Sequence, residues 1–495
     1  MKKKPTDTKG INRRKFLKSL AAGSAVAVPG VAGAMHGMGG GGMGGGGGGG
    51  GTGGGGGTGG GASTGAFQVP LAIPPELAPV ASDSTTDYYE MTQMETAVEI
   101  IPGTVTTIWG YNGITPGPTI RARRGRRVQV TQHNSLPAGV STHLHGGEIE
   151  AASDGHPTDL IPPGGSKTYT YSNIQKATTL WYHDHAVDET AQHVYKGLAG
   201  FYLLEDDEEQ SLNLPSGDYE VPMVIQDRSF NADGSFAYTG NQSGELGDTI
   251  LVNGSVQPYF EVANRKYRFR ILNGSNRREY VLALSNGQPL TQIGTDGGLL
   301  ESPVDLNEIF MSPAYRCDIV IDFSQVPVGQ SVVLQNLDGS GSTAEIMRFD
   351  VVRSETDTSS LPATLTTIPR LNPADAVTTR RFTFSRRRGS WVINGRSYDP
   401  NRVDANPRLG TTEIWELSNR SMMNHPVHIH LAQFQVLDAA GNQPEYMGMK
   451  DTFVIRPMQT IRVIGKFTYT GMYVFHCHNL EHEDFAMMAN FEVLP

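Results

Sequence analysis

The sequence predicts an all-β protein of three Greek-key β-sandwich domains, and three observations carry that expectation. Short segments rich in β-branched and aromatic residues recur between Gly and Pro turn signals, 60 Gly and 29 Pro in 495 residues, while helix-period runs are few. A chain of this length accommodates about three domains of ordinary size. Two composition breaks then divide it: the acidic run Asp206 Asp207 Glu208 Glu209 with Pro215 to Asp218, and a Ser/Thr/Pro-rich region from Glu355 to Thr379. The resulting domains run over residues 67–207, 216–352 and 378–495, each of a size for a Greek-key sandwich.

The chain begins with Asn12 Arg13 Arg14 Lys15 Phe16 Leu17 Lys18, then an uncharged, weakly apolar segment from Ser19, then the small-residue cleavage pattern Ala32 Gly33 Ala34. This reads as a twin-arginine signal peptide over residues 1–34. The expected partner is the twin-arginine export machinery and the expected location is periplasmic or extracellular. The uncharged run is short and rich in Ala and Gly, so no permanent membrane span is expected. Residues 35–66 open with Met35 His36 Gly37 Met38 and continue as nearly pure Gly with Met43. Such a Gly/Met-rich segment cannot bury apolar surface and reads as a flexible tether.

Net charge is −10, which implies no nucleic-acid surface. Arg121, Arg123, Arg124, Arg126 and Arg127 read as a solvated face. There are two cysteines, Cys317 and Cys477. Cys317, in a strand-like Arg316 Cys317 Asp318 Ile319 Val320 Ile321, reads as a small buried hydrophobe.

Histidine separates the domains functionally. Of 14 histidines none lies between His193 and His425, so the middle domain offers no imidazole and is expected to be a spacer or wall. The outer domains carry matching pairs. In the first, Thr142 His143 Leu144 His145 is followed by Trp181 Tyr182 His183 Asp184 His185; in the third, His425 Pro426 Val427 His428 Ile429 His430 is followed by Phe475 His476 Cys477 His478. On a strand, each His-x-His places both imidazoles on one face. The pattern reads as an internal duplication in which Asp184 holds the place of Cys477. Eight imidazoles are enough for three metal ions at the junction of the outer domains.

The C-terminal stretch from His476 to Met487 adds Cys477, His482 and a thioether. A strand entering at Met472 points His476 and His478 one way and Cys477 the other. With His425, this supplies the His2Cys set with a weak axial Met of an electron-transfer blue-copper centre. Met488 competes with Met487 by composition, and the ten-residue spacing from the cysteine favours Met487. Of the remaining histidines, His133 and His193 read as surface or loop residues, and His156 as a neighbour of ligands.

From Phe67 to the C-terminus the chain resembles the three-domain multicopper oxidases of the bacterial laccase kind. Besides the copper motifs, the resemblance includes Trp109 Gly110 Tyr111 Asn112 Gly113, Pro116 Gly117 Pro118 Thr119 and Asp154 Gly155. It implies three cupredoxin-like domains and four coppers per chain. A type 1 copper would be held by His425, Cys477 and His482 with Met487 axial, a type 2 copper by His143 and His428, and a type 3 pair by His145, His183, His185, His430, His476 and His478. It also implies that single electrons enter through the edge of His482, nearest the surface, and pass by way of Cys477 to a cluster that reduces dioxygen to water. Asp154 and Glu483 match positions that deliver protons, or else orient ligand imidazoles. The reducing substrate expected by default is a small phenol or aromatic amine, with a reduced metal ion, cuprous or manganese(II), as the alternative. A non-catalytic copper-binding or electron-transfer protein is the second alternative.

Overall fold

The computed structural model describes residues 65–437 and 446–495. The signal peptide and nearly all of the tether read from the sequence lie outside the described residues. Strands dominate: the α-helices Thr190–Lys196, Asp207–Ser211 and Leu480–Asp484 span at most 7 residues. Among the described residues no helix is long and apolar enough to cross a membrane.

Among the described residues six sheets come in pairs, each pair drawn from one stretch of chain. Between Ala81 and Glu205, a five-stranded sheet faces a four-stranded one ordered Gly117–Arg123, Ala199–Glu205, Thr178–Asp184, Thr142–His145. Between Glu220 and Arg353 the sheets have seven and five strands. Between Ala376 and Val493 both have five, and one is ordered Val403–Ala405, Met488–Val493, Gly471–Cys477, His425–Ile429, Thr452–Ile455. The same crossed connection recurs three times. Thr86–Val98 runs parallel to Arg127–Asn134, Glu220–Arg228 to Lys266–Asn273, and Ala376–Arg387 to Thr412–Arg420.

Burial follows from where each strand lies. Arg127–Asn134 alternates between buried and half-exposed residues, as a strand with one solvated face does. Thr178–Asp184 is buried at all 7 positions. Its Leu180 and Tyr182 join the core of the first sandwich, while Trp181 packs with Val224, Leu272 and Ala314 of the middle stretch. The strand that carries His183 is thus clamped on both faces, each large apolar side chain contributing about 1.5–3 kcal/mol.

Charged groups close the same junction. Arg268 and Arg270 are buried against Glu209, Glu220 and Asp318. Arg121 is half-buried and reaches Glu205 at 2.5 Å and Glu220 at 3.1 Å. This corrects the solvated reading of Arg121, which bridges the first and middle stretches, although Arg123 and Arg124 are exposed as expected. Cys317 is 2% exposed within the middle core.

Candidate metal centre

The histidine motifs fall on adjacent antiparallel strands in equivalent register. In the first stretch His143 pairs with His183 and Thr142 with Asp184; in the last, His428 pairs with His476 and Val427 with Cys477. Asp184 therefore stands where Cys477 stands in the other copy. The side chain of Asp184 is buried and accepts from Ser141 N, Ala186 N and His193 Nδ1, the last at 2.6 Å. His193 is accordingly a buried helix residue rather than a surface one. A carboxylate enclosed where a thiol would sit requires a donor, and this imidazole supplies it.

The two copies bring eight imidazoles together. His143 Nε2 lies 3.3 Å from His428 Nε2, and His476 Nε2 lies 3.2 Å from both His185 Nε2 and His430 Nε2. The rings of His145 and His183 are centred 5.0 and 5.4 Å from that of His478. Donor atoms of His143 also lie within 4.8 Å of those of His145 and His183 and of His428 and His430, so the imidazoles form one continuous cluster.

Beside it, His425 Nδ1 and His482 Nδ1 lie 3.4 and 3.6 Å from Cys477 Sγ and 3.2 Å from one another. Met487 is buried in the same apolar cluster as Cys477, and its carbonyl accepts from Cys477 N at 3.0 Å. Met488 instead pairs across the strands with His476.

These donor sets fit metal ions. Burial holds His143, His145, His185, His430, His476, His478 and His482 well below the ordinary imidazole pKa, and takes His183 and His425 to about 3. Neighbouring imidazoles reinforce most of these shifts. Each of these nine rings is therefore neutral at pH 7 with a lone pair to offer. His145 Nδ1, His183 Nε2 and both ring nitrogens of His478 are buried with no hydrogen-bond partner. Nitrogens about 2.0–2.1 Å from one tetrahedral ion are roughly 3.3 Å apart, which is the spacing of the converging pairs. Burial pushes the Cys477 thiol up, so only a bound cation makes it a thiolate.

Carboxylates orient the rings from outside. Asp154 Oδ2 accepts from His430 Nδ1 at 2.8 Å, its carbonyl accepts from His143 Nδ1 at 2.6 Å, and its Oδ1 lies 3.5 Å from His143 Nδ1 without a hydrogen bond. Glu483 lies 2.8 Å from His476 Nδ1 and 3.3 Å from His185 Nδ1. Burial raises the pKa of both, Asp154 strongly.

A third carboxylate, Asp451, carries no motif in the sequence. It accepts from His145 Nε2 at 3.0 Å, and its carbonyl accepts from His428 Nδ1 at 2.9 Å. Burial would raise its pKa, but Arg316 and His145 outweigh burial and hold it well below the usual range. The middle stretch is therefore more than a wall, since its fully buried Arg316 reaches into the cluster's surroundings.

His482 is itself covered: it is 0% exposed. Asn479 caps the helix Leu480–Asp484, its side chain accepting from His482 N, and its amide lies 3.2 Å from His482 Nε2. Trp391 lies over the ring with centroids 3.9 Å apart, and donates from Nε1 to Gln242 O at 2.7 Å. The loop around Gln242 belongs to the middle stretch. It approaches closely because Gly244, at φ +104°, has no Cβ, which would meet Arg277 Cδ at 2.4 Å and Asn479 Nδ2 at 2.6 Å. Burial, His425 and Arg277 depress the His482 pKa, and Arg386 adds to the effect.

Of the other histidines, His133 is half-buried on a strand beside Ser166, and His156 Nε2 lies 3.3 Å from Asn490 Oδ1, outside the donor groups.

Two copper-type donor sets sharing one strand define a class, and sequence relationships agree. The multicopper oxidase family pattern matches residues 93–209, 181–350 and 368–495, so the chain belongs to the multicopper oxidases, copper-binding oxidoreductases that use dioxygen. It is 37% identical over 504 residues to a laccase of Bacillus subtilis (strain 168), covering 86% of this chain and 97% of that one. It is 38% identical over 470 residues to a bilirubin oxidase of Albifimbria verrucaria, covering 87% and 82%. The crystal structure of a laccase from Pediococcus acidilactici superposes with a TM-score of 0.83 at 36% identity, covering 88% of this chain and 95% of that one. The all-β architecture is accordingly cupredoxin-like.

Proposed function

We propose that the chain is a laccase-like oxidase holding four coppers, which takes single electrons from phenols or aromatic amines and passes them to dioxygen. The observation that carries this reading is the strand Gly471–Cys477, whose Cys477 belongs to one donor set and His476 to the other, with the ring of His478 just beyond centred 5.0 and 5.4 Å from those of His145 and His183. In this reading His425, Cys477 and His482, with Met487, hold one copper, and His143 and His428 a second. His145, His183 and His478 hold a third, and His185, His430 and His476 a fourth. When bound, copper supplies one-electron redox chemistry and the site of dioxygen reduction to water. The protein supplies the path, since the sulfur of Cys477 is joined to both neighbouring imidazoles through a few backbone bonds. Asp154 and Glu483, whose pKa values burial raises, are placed to pass protons at the imidazoles they touch. Asp451, kept anionic by Arg316, fixes the rings of His145 and His428.

The motif in residues 1–34 supports export through the twin-arginine route to the periplasm or beyond. Arg13→Lys with Arg14→Lys would then leave the protein in the cytoplasm on cell fractionation. The activity is tested by recording the visible spectrum of copper-loaded protein beside oxygen uptake with a phenol, with cuprous ion and with manganese(II). A blue band with fastest uptake on the phenol is expected. Uptake on a metal ion alone would establish a metal-ion oxidase, and blue colour without uptake on any donor would establish an electron-transfer protein.

A further inference from the structure

The reading of His482 as the place where electrons enter leaves a problem, because its ring is sealed beneath Trp391, Asn479 and the loop around Gln242. The outer side of Trp391 shows what faces the solvent there. Ala376–Arg387 and Ser390–Ile393 form a hairpin in which Arg386 pairs with Trp391 and Arg387 with Ser390. The two residues between, Arg388 and Gly389, have φ of +50° and +88°, the left-handed pair of a tight hairpin turn, so the tip is held rigidly. Arg386, Arg387 and Arg388 are all exposed. The Arg386 guanidinium lies 5.2 Å from the centre of the Trp391 ring, and that ring lies 3.9 Å from His482. Arg277 stands at the other side of the seal, donating to Gly244 O at 3.4 Å.

These arginines differ from several others on the surface. Arg123, Arg353, Arg370 and Arg381, all exposed, each meet a carboxylate. Among the described residues no carboxylate forms an ion pair with Arg277, Arg386, Arg387 or Arg388; Arg387 turns instead to Gly395 O. In a chain of net charge −10, Arg386 over Trp391 and Arg277 beside Gly244 thus flank the route to one buried imidazole without a paired carboxylate, while Arg387 and Arg388 add positive charge at the hairpin tip. At about 0.1 M salt charges more than roughly 10 Å away are screened, so an approaching reductant senses this local patch rather than the net charge.

We propose that Arg386, Arg387 and Arg388, with Arg277, form the docking surface for an anionic aromatic reductant, a phenol or aromatic amine bearing a carboxylate or sulfonate, whose electron reaches His482 through Trp391. The inference rests on the substrate reading above and deepens it. For a phenol, the ring gives up one electron and its hydroxyl proton passes to solvent, leaving a phenoxyl radical. The oxidant would be a cupric ion held by His425, Cys477 and His482, which would be regenerated at the expense of dioxygen. From Trp391 to His482 to Cys477 each gap is a side-chain contact, so the donor need not touch the imidazole.

The test compares the wild type with Arg386→Gln/Arg387→Gln/Arg388→Gln, both copper-loaded and matched in blue absorbance, on syringate and its uncharged methyl ester. Expected is a loss of about 10-fold or more in kcat/KM for syringate at low salt, with the ester changed less than about twofold, and a similar loss for the wild type on adding salt. As a readout independent of turnover, quenching of tryptophan fluorescence by redox-inert naphthalene-2-sulfonate should show a dissociation constant about 10-fold weaker in the variant. Equal loss on both phenols, or no loss on either, would overturn the anion site while leaving the substrate reading intact. A wild type that binds the sulfonate through these arginines yet oxidises neither phenol would support the anion site and overturn the substrate reading.

Discussion

Replacing Arg316 with Met tests how the middle stretch supports the copper cluster. The guanidinium is fully buried. It donates to Asp451 through both terminal nitrogens, to Thr179 O at 3.0 Å, to Ala314 O at 2.8 Å and to Asp296 O at 3.2 Å. Removing one partner of a buried ion pair costs about 3–5 kcal/mol, because the remaining charge is left uncompensated. At 1.4 kcal/mol per factor of ten, about 4 kcal/mol is roughly a 10³-fold fall in the folding equilibrium. Adding Asp451→Asn removes the stranded charge while Gln433, 3.0 Å away, still bonds the side chain. The double variant should therefore recover at least about 2 kcal/mol of the loss. The assay is the denaturant midpoint at pH 7, followed by circular dichroism, for wild type, both single variants and the double. Because Asp451 orients His145 and His428, Arg316→Met should also weaken copper binding by about 10–100-fold. Single-variant losses below about 1 kcal/mol that simply add would refute the reasoning.

Other outcomes follow from the same structure. Burial would raise the Glu220 pKa, but Arg270, Arg268 and Arg121 outweigh it and lower it from 4.5 to about 2. A depressed folded-state pKa contributes stability that is full above pH 4.5 and lost as pH falls towards 2, on the order of 3 kcal/mol. Glu220→Gln should be less stable at pH 6 and lose less between pH 4.5 and 2, and denaturant midpoints showing equal acid losses would contradict this. Gly155 has φ +74°, and a Cβ there would lie 2.1 Å from Thr142 O, in the strand of His143. Gly155→Ala should lower copper content measured by elemental analysis, since that strand must shift. Asp154→Asn and Glu483→Gln should each slow oxygen uptake by 10²–10⁴-fold, the usual range for general acids, with copper content retained. Full turnover in both would remove them as proton donors.

How much was legible in the sequence depended on periodicity. His-x-His on a strand fixes a face whatever the surroundings, so the duplicated pairs and Cys477 between His476 and His478 identify the donor sets directly. The all-β character follows as directly from short strand-like segments and turn residues. What the sequence hides is contact between distant segments. Nothing around Asp451 marks it as the partner of Arg316, 135 positions away. The seal over His482 needs Gln242, Gly244, Trp391 and Asn479 from three separate stretches, so the sequence does not show that the imidazole nearest the surface is covered. His193 is missed because its partner Asp184 is buried only by virtue of the duplicated register. Here the equivalence of Asp184 and Cys477 already contained the signal: a buried acid in a thiol's place needs a donor.

The central claim is that one strand serves two separable copper sites, and Cys477→Ser tests it most directly. After copper loading, metal content and the visible spectrum are measured together. The account predicts loss of the blue band and of turnover with dioxygen, while three of four coppers remain, because the eight imidazoles keep their positions without the sulfur. Loss of all copper, or a surviving blue band, would contradict it.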